Sequence, residues 1–219
     1  VRKQESRKAA EFIGAVWHPP ISHDLSIFYD EVHLRKLAAV VREVAPSILL
    51  THSPQDYMED HMTTCRLAVT AAFARGFPNY LTDPSVAAID CPVTIYHAQP
   101  HMNRDPLGGF VIPSLFVDVT NRMDEKRRAL ALHESQKSWL ETTQGIGSYV
   151  ETMDGLAREV AEMSGRFEFA EGWRKHLHAG FCDETEDPLR SALPRELTSK
   201  RESEIHRHGR DVTQEKRKQ

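Results

Sequence analysis

The densest group of side chains capable of chemistry lies in one short polar segment, residues 52–61. Its sequence, HSPQDYMEDH, has a histidine at each end and three acidic residues between them. Asp60 and His61 adjoin the start of a predicted helix, where a neutral imidazole can bind a divalent metal and a carboxylate can orient a neighbouring group. A catalytic zinc needs three protein ligands, so His61 by itself supplies one.

Each of these residues also has a purely structural interpretation. An aspartate just before a helix is an ordinary N-cap, because its carboxylate accepts hydrogen bonds from the unpaired backbone N–H groups of the first turn. Asp60 could therefore serve as a cap, and His52 and Asp56 could stabilise the loop. The residue types alone leave both interpretations open.

Two further histidine clusters are candidates for chemistry. His97 and His101 are four residues apart, but Pro100 between them argues against a helix and therefore against a helical zinc-binding pair. His133 falls within a predicted helix, where it lies either on a polar face or in a cleft. The GxSxG, Walker and GxGxxG motifs are absent from the sequence.

The elements that must position these residues are short strands alternating with longer helices. Helical spacing of apolar residues predicts helices over 2–13, 29–44, 62–75 and 123–140, and short apolar runs predict strands over 47–50, 92–96 and 115–119. This alternation is typical of an α/β sandwich with a mostly parallel sheet. The polar segment 52–61 would then follow the carboxyl end of a strand, where such sheets bind ligands.

Composition narrows the class of protein. The chain has 219 residues, 40% of them hydrophobic, and a mean hydropathy of −0.51, which fits one soluble domain with no membrane span. A net charge of −4 gives no general attraction for nucleic acid. Three widely spaced cysteines fit neither a disulfide framework nor a CxxC zinc site, so we expect a reducing, cytoplasmic setting. The oligomeric state stays open, with a homo-oligomer among the options.

The last 25 residues differ from the rest. From Arg195 onward the chain is highly charged and has few apolar side chains, so we expect a disordered tail over 195–219 and a folded domain over 1–194. The folded part would carry about seven net negative charges and the tail about three positive ones.

Four segments, in order, resemble motifs of the PIG-L/LmbE-like de-N-acetylases. Residues 48–61, ILLTHSPQDYMEDH, resemble that family's P-x-D-x-H-x-D-H segment. Residues 2–14 resemble its R-x-x-E…A-A…L-G helix, residues 126–136 its K-x-x-A…H-x-S-Q helix, and residues 170–173 its A-E-x-F/W segment. Together they cover roughly residues 1–182.

The resemblance implies a fold, a reaction and a set of site residues. Such enzymes are Rossmann-like three-layer sandwiches that use zinc to remove acetyl groups from N-acetylglucosamine conjugates or related amides. By position, His61 would be a zinc ligand and Asp60 its catalytic neighbour, while Arg2 and Asp24 would hold sugar hydroxyls of a small-molecule substrate. The general base would be an aspartate of the family's H-P-D-D motif.

The chain departs from the family pattern at two points. No H-P-D-D motif occurs in it, so we expect the other two zinc ligands to precede Val1 in the parent protein and this fragment to be inactive alone. The position of a histidine that stabilises the oxyanion is taken by Met58. Either Tyr57, also assigned to substrate binding, or the catalytic candidate His133 would replace that donor.

Two alternatives follow from these departures. One is a non-catalytic carbohydrate-binding or interaction module on the same fold, with its metal site lost. The other is an unrelated metallohydrolase whose metal is bound by His61, His97 and His101.

Overall fold

The structure is a computed structural model that describes residues 1–136, 149–200, 202 and 203. The helices are α1 (Arg2–Phe12), α2 (Glu31–Val44), α3 (Glu59–Phe73), α4 (Met123–Ala131), α5 (Tyr149–Ser164) and α6 (Pro188–Ala192). The strands are β1 (Ile48–Thr51), β2 (Thr94–Ala98), β3 (Leu115–Asp118), β4 (Ala170–Lys175) and β5 (Leu197–Ser199). The α/β class predicted from the sequence is confirmed.

The strands form a mixed five-stranded sheet in the order β1-β2-β4-β3-β5. β1 runs parallel to β2, with Thr51 opposite His97, and β4 runs antiparallel to β2, with Arg174 opposite His97. The predicted mostly parallel sheet is therefore not confirmed. A strand's direction depends on where the connecting chain re-enters the sheet, and a short apolar run carries no information on that.

The chain divides into two compact units. The first unit contains Val1–Pro20, Phe116–Glu171 and Thr198–Gln219, and the second contains Ile21–Leu115 and Gly172–Leu197. Phe116, which is 1% exposed, packs with Val160, Ala161 and Ala170 in the core of the first unit. In the second unit the small buried side chains Ala38 and Ala71 let α2 and α3 approach closely, while Ala72 packs with Val93, Ile95 and Phe181.

Helix α4 ends at Ala131, well before the predicted end at residue 140. Leu132 and His133 donate their backbone N–H groups to carbonyls three residues earlier, so the last turn tightens. Ser135 lies two residues after His133, and its backbone N–H and hydroxyl donate hydrogen bonds to the carboxylate of Glu5. His133 thus lies in a break between α4 and a helical stretch that begins at Glu134, and residues 137–140 of the predicted helix lie outside the described residues.

The start of the predicted tail is ordered in the sheet. Leu197–Ser199 form β5, and Thr198 is 1% exposed. The guanidinium of Arg166 donates to the hydroxyl of Thr198 at 3.1 Å, and Glu202 accepts from the backbone N–H of Ser199 at 2.6 Å. These polar contacts order a segment that has few apolar side chains; residues 204–219 of the predicted tail lie outside the described part of the chain.

None of the helices in the described residues combines the length and the apolar character that crossing a bilayer requires.

A buried arginine organises the loops around α2 in the second unit. Arg42 is 4% exposed, and its guanidinium donates to four backbone carbonyls, those of Ala74, Arg75, Phe77 and Val86, at 2.8 to 3.1 Å. Three of them, the carbonyls of Ala74, Arg75 and Phe77, also accept a backbone N–H, so Arg42 supplies the second hydrogen bond that a carbonyl oxygen can accept. Arg42 therefore stabilises the segment that connects α3 with β2.

We expect Arg42→Met to lower the free energy of unfolding by about 3 kcal/mol, because it removes four hydrogen bonds that a charged group donates to backbone carbonyls. Chemical denaturation measures the change. Arg7→Met is the matched control: Arg7 pairs with Glu11 on an exposed face, and its loss should cost less than about 1 kcal/mol. Equal losses in the two variants would contradict the role given to Arg42.

Candidate functional site

The candidate site of the second unit lies where β1 and β2 end. Because these strands are parallel and Thr51 lies opposite His97, the chain leaves both strands at the same edge of the sheet. Residues 52–58 follow β1 and lead into α3, while residues 99–113 follow β2. This is the edge at which the polar segment was predicted.

His61 is held by a buried carboxylate. It lies in the first turn of α3, and its Nδ1 is 3.0 Å from Oδ1 of Asp56, which is 2% exposed. The same oxygen accepts a hydrogen bond from the backbone N–H of Met58 at 3.2 Å. Since a carboxylate accepts, the geometry places the proton of a neutral His61 on Nδ1, which leaves Nε2 as the ring nitrogen that can bind a metal.

Aromatic contacts fix the plane of the His61 ring. The His52 ring stacks on it, with centroids 4.6 Å apart and planes 5° from parallel. The Tyr57 ring meets it edge-on at 5.9 Å and also contacts the His101 ring at 5.5 Å. Burial lowers the pKa of His52 most, and the neighbouring His61 lowers it further. A neutral His52 can stack on His61 without placing a positive charge beside it.

Asp60 does not cap α3, so the capping interpretation is wrong. The N-cap residue is Met58, whose side chain makes no capping hydrogen bond within the described chain. The carboxylate of Asp60 instead accepts from the backbone N–H of Leu25 at 2.7 Å. Leu25 has a positive φ of 58°, and it follows Asp24, the predicted substrate ligand. Asp60 therefore fixes the loop that carries Asp24.

The predicted site residues are divided between the two units. Tyr57, Asp60 and His61 lie together in the second unit, with Asp24 in the loop bound to Asp60. Arg2, the first residue of α1, and His133, after α4, belong to the first unit.

In the first unit, motif residues pair with one another. Glu5 is bound by the backbone N–H and the hydroxyl of Ser135, and these two hydrogen bonds lower the pKa of Glu5; His133 adds a smaller effect in the same direction. Lys126 forms an ion pair with Glu171 at 2.5 Å. Four residues that carry the family resemblance are thus joined in two pairs, and the Glu5–Ser135 pair fixes the chain next to His133.

Beneath the 52–58 loop lies a histidine chain that the sequence reasoning missed. His97 Nδ1 is 3.0 Å from the carbonyl oxygen of His52, and its Nε2 is 2.8 Å from Nδ1 of His176. The carbonyl must accept, so His97 donates from Nδ1 and accepts at Nε2 from His176. Strand alternation in β4 could have placed Arg174 and His176 on one face, but only the tertiary structure pairs them with His97.

Both ring nitrogens of His97 are therefore occupied by hydrogen bonds. Among the described residues, no group of three or more His, Cys, Asp or Glu side chains is placed to hold a metal ion. The alternative metal site formed by His61, His97 and His101 is thus wrong. His61 does fit one zinc ligand position, because a second-layer carboxylate orients its ring and its side chain is 32% exposed.

Comparison with known proteins gives relatives of two activities. No family model matches the chain. It is 28% identical over 141 residues to the diacetylchitobiose deacetylase of Thermococcus kodakarensis and 30% identical over 137 residues to the 4-oxalmesaconate hydratase of Pseudomonas putida. Each match covers 62% of this chain, which spans about half the length of these relatives, 49% and 51%.

A solved structure agrees with these matches. That of GalB, the 4-carboxy-2-hydroxymuconate hydratase of Pseudomonas putida, superposes with a TM-score of 0.62 at 25% identity, over 84% of this chain and 72% of that one. The chain is thus a homologue of a diacetylchitobiose deacetylase and of the GalB hydratase, which agrees with the resemblance of the four motifs.

The buried histidines make stability depend on pH. Burial lowers the pKa of His52, His97 and His176 from an ordinary value of 6.5. The unfolded chain therefore binds more protons than the folded one as pH falls through about 6.5, so folding stability is complete above that pH and decreases below it. Each such histidine adds a slope of up to about 1.4 kcal/mol per pH unit.

We expect His97→Gln to reduce this slope, because glutamine can still donate to the His52 carbonyl but does not titrate. Denaturation at several pH values between 5 and 8 measures it, with exposed His23→Gln as the control that should keep the wild-type profile. An unchanged slope in His97→Gln would show that His97 is not a source of the pH dependence.

Proposed function

We propose that the parent protein of this chain is a metal-dependent hydrolase that removes an acetyl group from an N-acetylglucosamine-type conjugate or a related amide. The observation that carries the proposal is the buried Asp56 bound to His61 at the edge where β1 and β2 end. Such an aspartate–histidine pair is the usual support of a zinc-binding imidazole. The deacetylase homologue supports the reaction class.

His61 would bind zinc through Nε2, and the other two ligands would come from an H-P-D-D segment, which this chain does not contain. When bound, zinc would supply Lewis-acid polarisation of the amide carbonyl and of the attacking water. We propose zinc rather than another divalent metal because the ligands would be histidine and aspartate side chains.

The described residues would contribute positioning and proton donation. Asp56 fixes the tautomer and the plane of His61, and Asp60 fixes the loop whose Asp24 would bind a sugar hydroxyl. Tyr57 is 61% exposed beside His61, so its hydroxyl can reach a bound substrate. Arg2 would bind sugar hydroxyls, and His133 would donate to the developing oxyanion.

We expect His61→Ala in the complete protein to abolish zinc retention and deacetylation. Asp56→Asn should keep zinc but weaken its affinity by about 10- to 100-fold, because asparagine cannot orient the imidazole as a carboxylate does. Elemental analysis and competition with a chelator measure the two effects. His101→Ala is the control for zinc content, since His101 contacts only the neighbouring Tyr57 ring among the described aromatic contacts. Full zinc stoichiometry in His61→Ala would falsify the assignment.

The hydratase relative, at 30% identity, favours a second candidate function, addition of water to an unsaturated acid. The two reactions have separate readouts: a deacetylase releases acetate from an N-acetylated sugar, while a hydratase removes the ultraviolet absorbance of a conjugated double bond. Acetate release without loss of such absorbance supports the deacetylase. Sugar binding with neither reaction would instead support a non-catalytic carbohydrate-binding module.

A further inference from the structure

Arg174 lies directly beneath the loop of residues 52–58, which leads to the candidate metal ligand His61 in α3. It is opposite His97 in the antiparallel pairing of β4 with β2, and His97 is opposite Thr51 in the parallel pairing of β2 with β1. Paired residues of neighbouring strands point to the same face of a sheet. Thr51, His97 and Arg174 therefore form a row across three strands, next to the point where the chain leaves β1.

The guanidinium of Arg174 binds the loop through a serine. Its Nη2 donates to the hydroxyl oxygen of Ser53 at 2.7 Å and, more weakly, to the carbonyl of Ala98 at 3.4 Å. Ser53 is fully buried; its hydroxyl donates to the carbonyl of Gln55 at 2.6 Å and accepts from the backbone N–H of Gln55 at 3.1 Å. One donated and two accepted bonds use the full capacity of a hydroxyl.

The hydrogen bonds to Ser53 lead along the chain to the metal-ligand candidate. Ser53 fixes Gln55, and Gln55 precedes Asp56, whose carboxylate binds His61. His97 fixes the same loop one residue earlier, at the carbonyl of His52. Two side chains from the sheet therefore hold adjacent loop residues from below, and Asp56 and His61 lie immediately beyond them.

Arg174 is also an unusual cation. It belongs to none of the ion pairs among the described residues, where its buried Nε also has no hydrogen-bond partner. Burial lowers the pKa of Arg174. A partly buried cation without a carboxylate is costly, because desolvation is not compensated by an opposite charge. Packing alone would be served as well by an apolar side chain such as methionine.

We propose that Arg174 is a positioning residue, which holds residues 52–58 in the conformation that lets Asp56 orient His61. It acts through Ser53 and touches neither metal nor substrate. Its effect on zinc affinity rests on the proposed function, whereas its effect on the loop does not.

The first test measures the loop without any metal. Hydrogen exchange at the Gln55 and Met58 amides, which are bonded to Ser53 and Asp56, is compared in the full chain and in Arg174→Met. We expect at least tenfold faster exchange at both amides. Exposed Arg66→Met, on α3 of the same unit, is the control and should exchange at the wild-type rate. Unchanged exchange in Arg174→Met would overturn the proposal.

The second test measures zinc affinity by chelator competition in the complete protein. We expect Arg174→Met to weaken zinc binding by about 10- to 100-fold, as happens when a group that orients a metal ligand is removed. Arg174→Lys should recover part of the zinc affinity, since lysine keeps the positive charge and can donate to Ser53 but lacks the planar guanidinium. In the deacetylation assay at saturating zinc, kcat per mole of bound zinc should fall with KM nearly unchanged; a general loss of stability would lower the amount of zinc-loaded enzyme but not kcat per bound zinc.

Ser53→Ala removes the hydrogen bond between Arg174 and Ser53 with little change in side-chain volume. It tests the positioning role of Arg174 if the Arg174→Met variant does not fold. It should accelerate exchange at Gln55, and the double variant Ser53→Ala with Arg174→Lys should add little, because both act through one contact. Additive effects would overturn the proposal. If the complete protein binds no zinc at all, the proposed function fails, while the exchange measurements still decide the role of Arg174.

Discussion

Parallel pairing of β1 with β2 is the constraint on which the candidate site depends. The register that places Thr51 opposite His97 makes the chain leave both strands at one edge, so the loop of residues 52–58 lies over His97. From there Asp56 reaches back to the first turn of α3 and holds His61. A register slip of one residue would turn His97 to the other face of the sheet and remove the support beneath His52.

The second unit stabilises its irregular segments with arginine rather than with carboxylate pairs. Arg42 and Arg75 each donate to four backbone carbonyls, which connects the α3–β2 segment and the chain near Phe181 to the core. A guanidinium suits this task because it has five donors in a fixed plane. Arg174 extends the pattern to the loop of the candidate site, where its acceptors are a hydroxyl and one carbonyl.

Burial keeps the groups beneath the site neutral. It lowers the pKa values of His97 and His176 and raises the pKa of Cys65 to about 11, so the imidazoles and the thiol are all uncharged near neutral pH. Neutral His97 can accept from His176 while it donates to His52, which a doubly protonated ring could not do. Arg174 also lowers the pKa of His97, which favours the neutral form of this ring.

Apolar periodicity and local polar clusters are properties of neighbouring residues. The sequence alone therefore predicts most of the described helices and strands to within a few residues, and it places the polar segment between β1 and α3. The motifs indicated the homologous deacetylase and hydratase, while the role of His61 as a metal ligand stays a prediction. Only the tertiary structure decided the direction of β4, the early end of α4 at the Glu5–Ser135 contact, the bond from Asp60 to Leu25, and the support of the loop by His97 and Arg174. These contacts join residues 35 to 130 positions apart, and no local pattern specifies which distant side chains will meet.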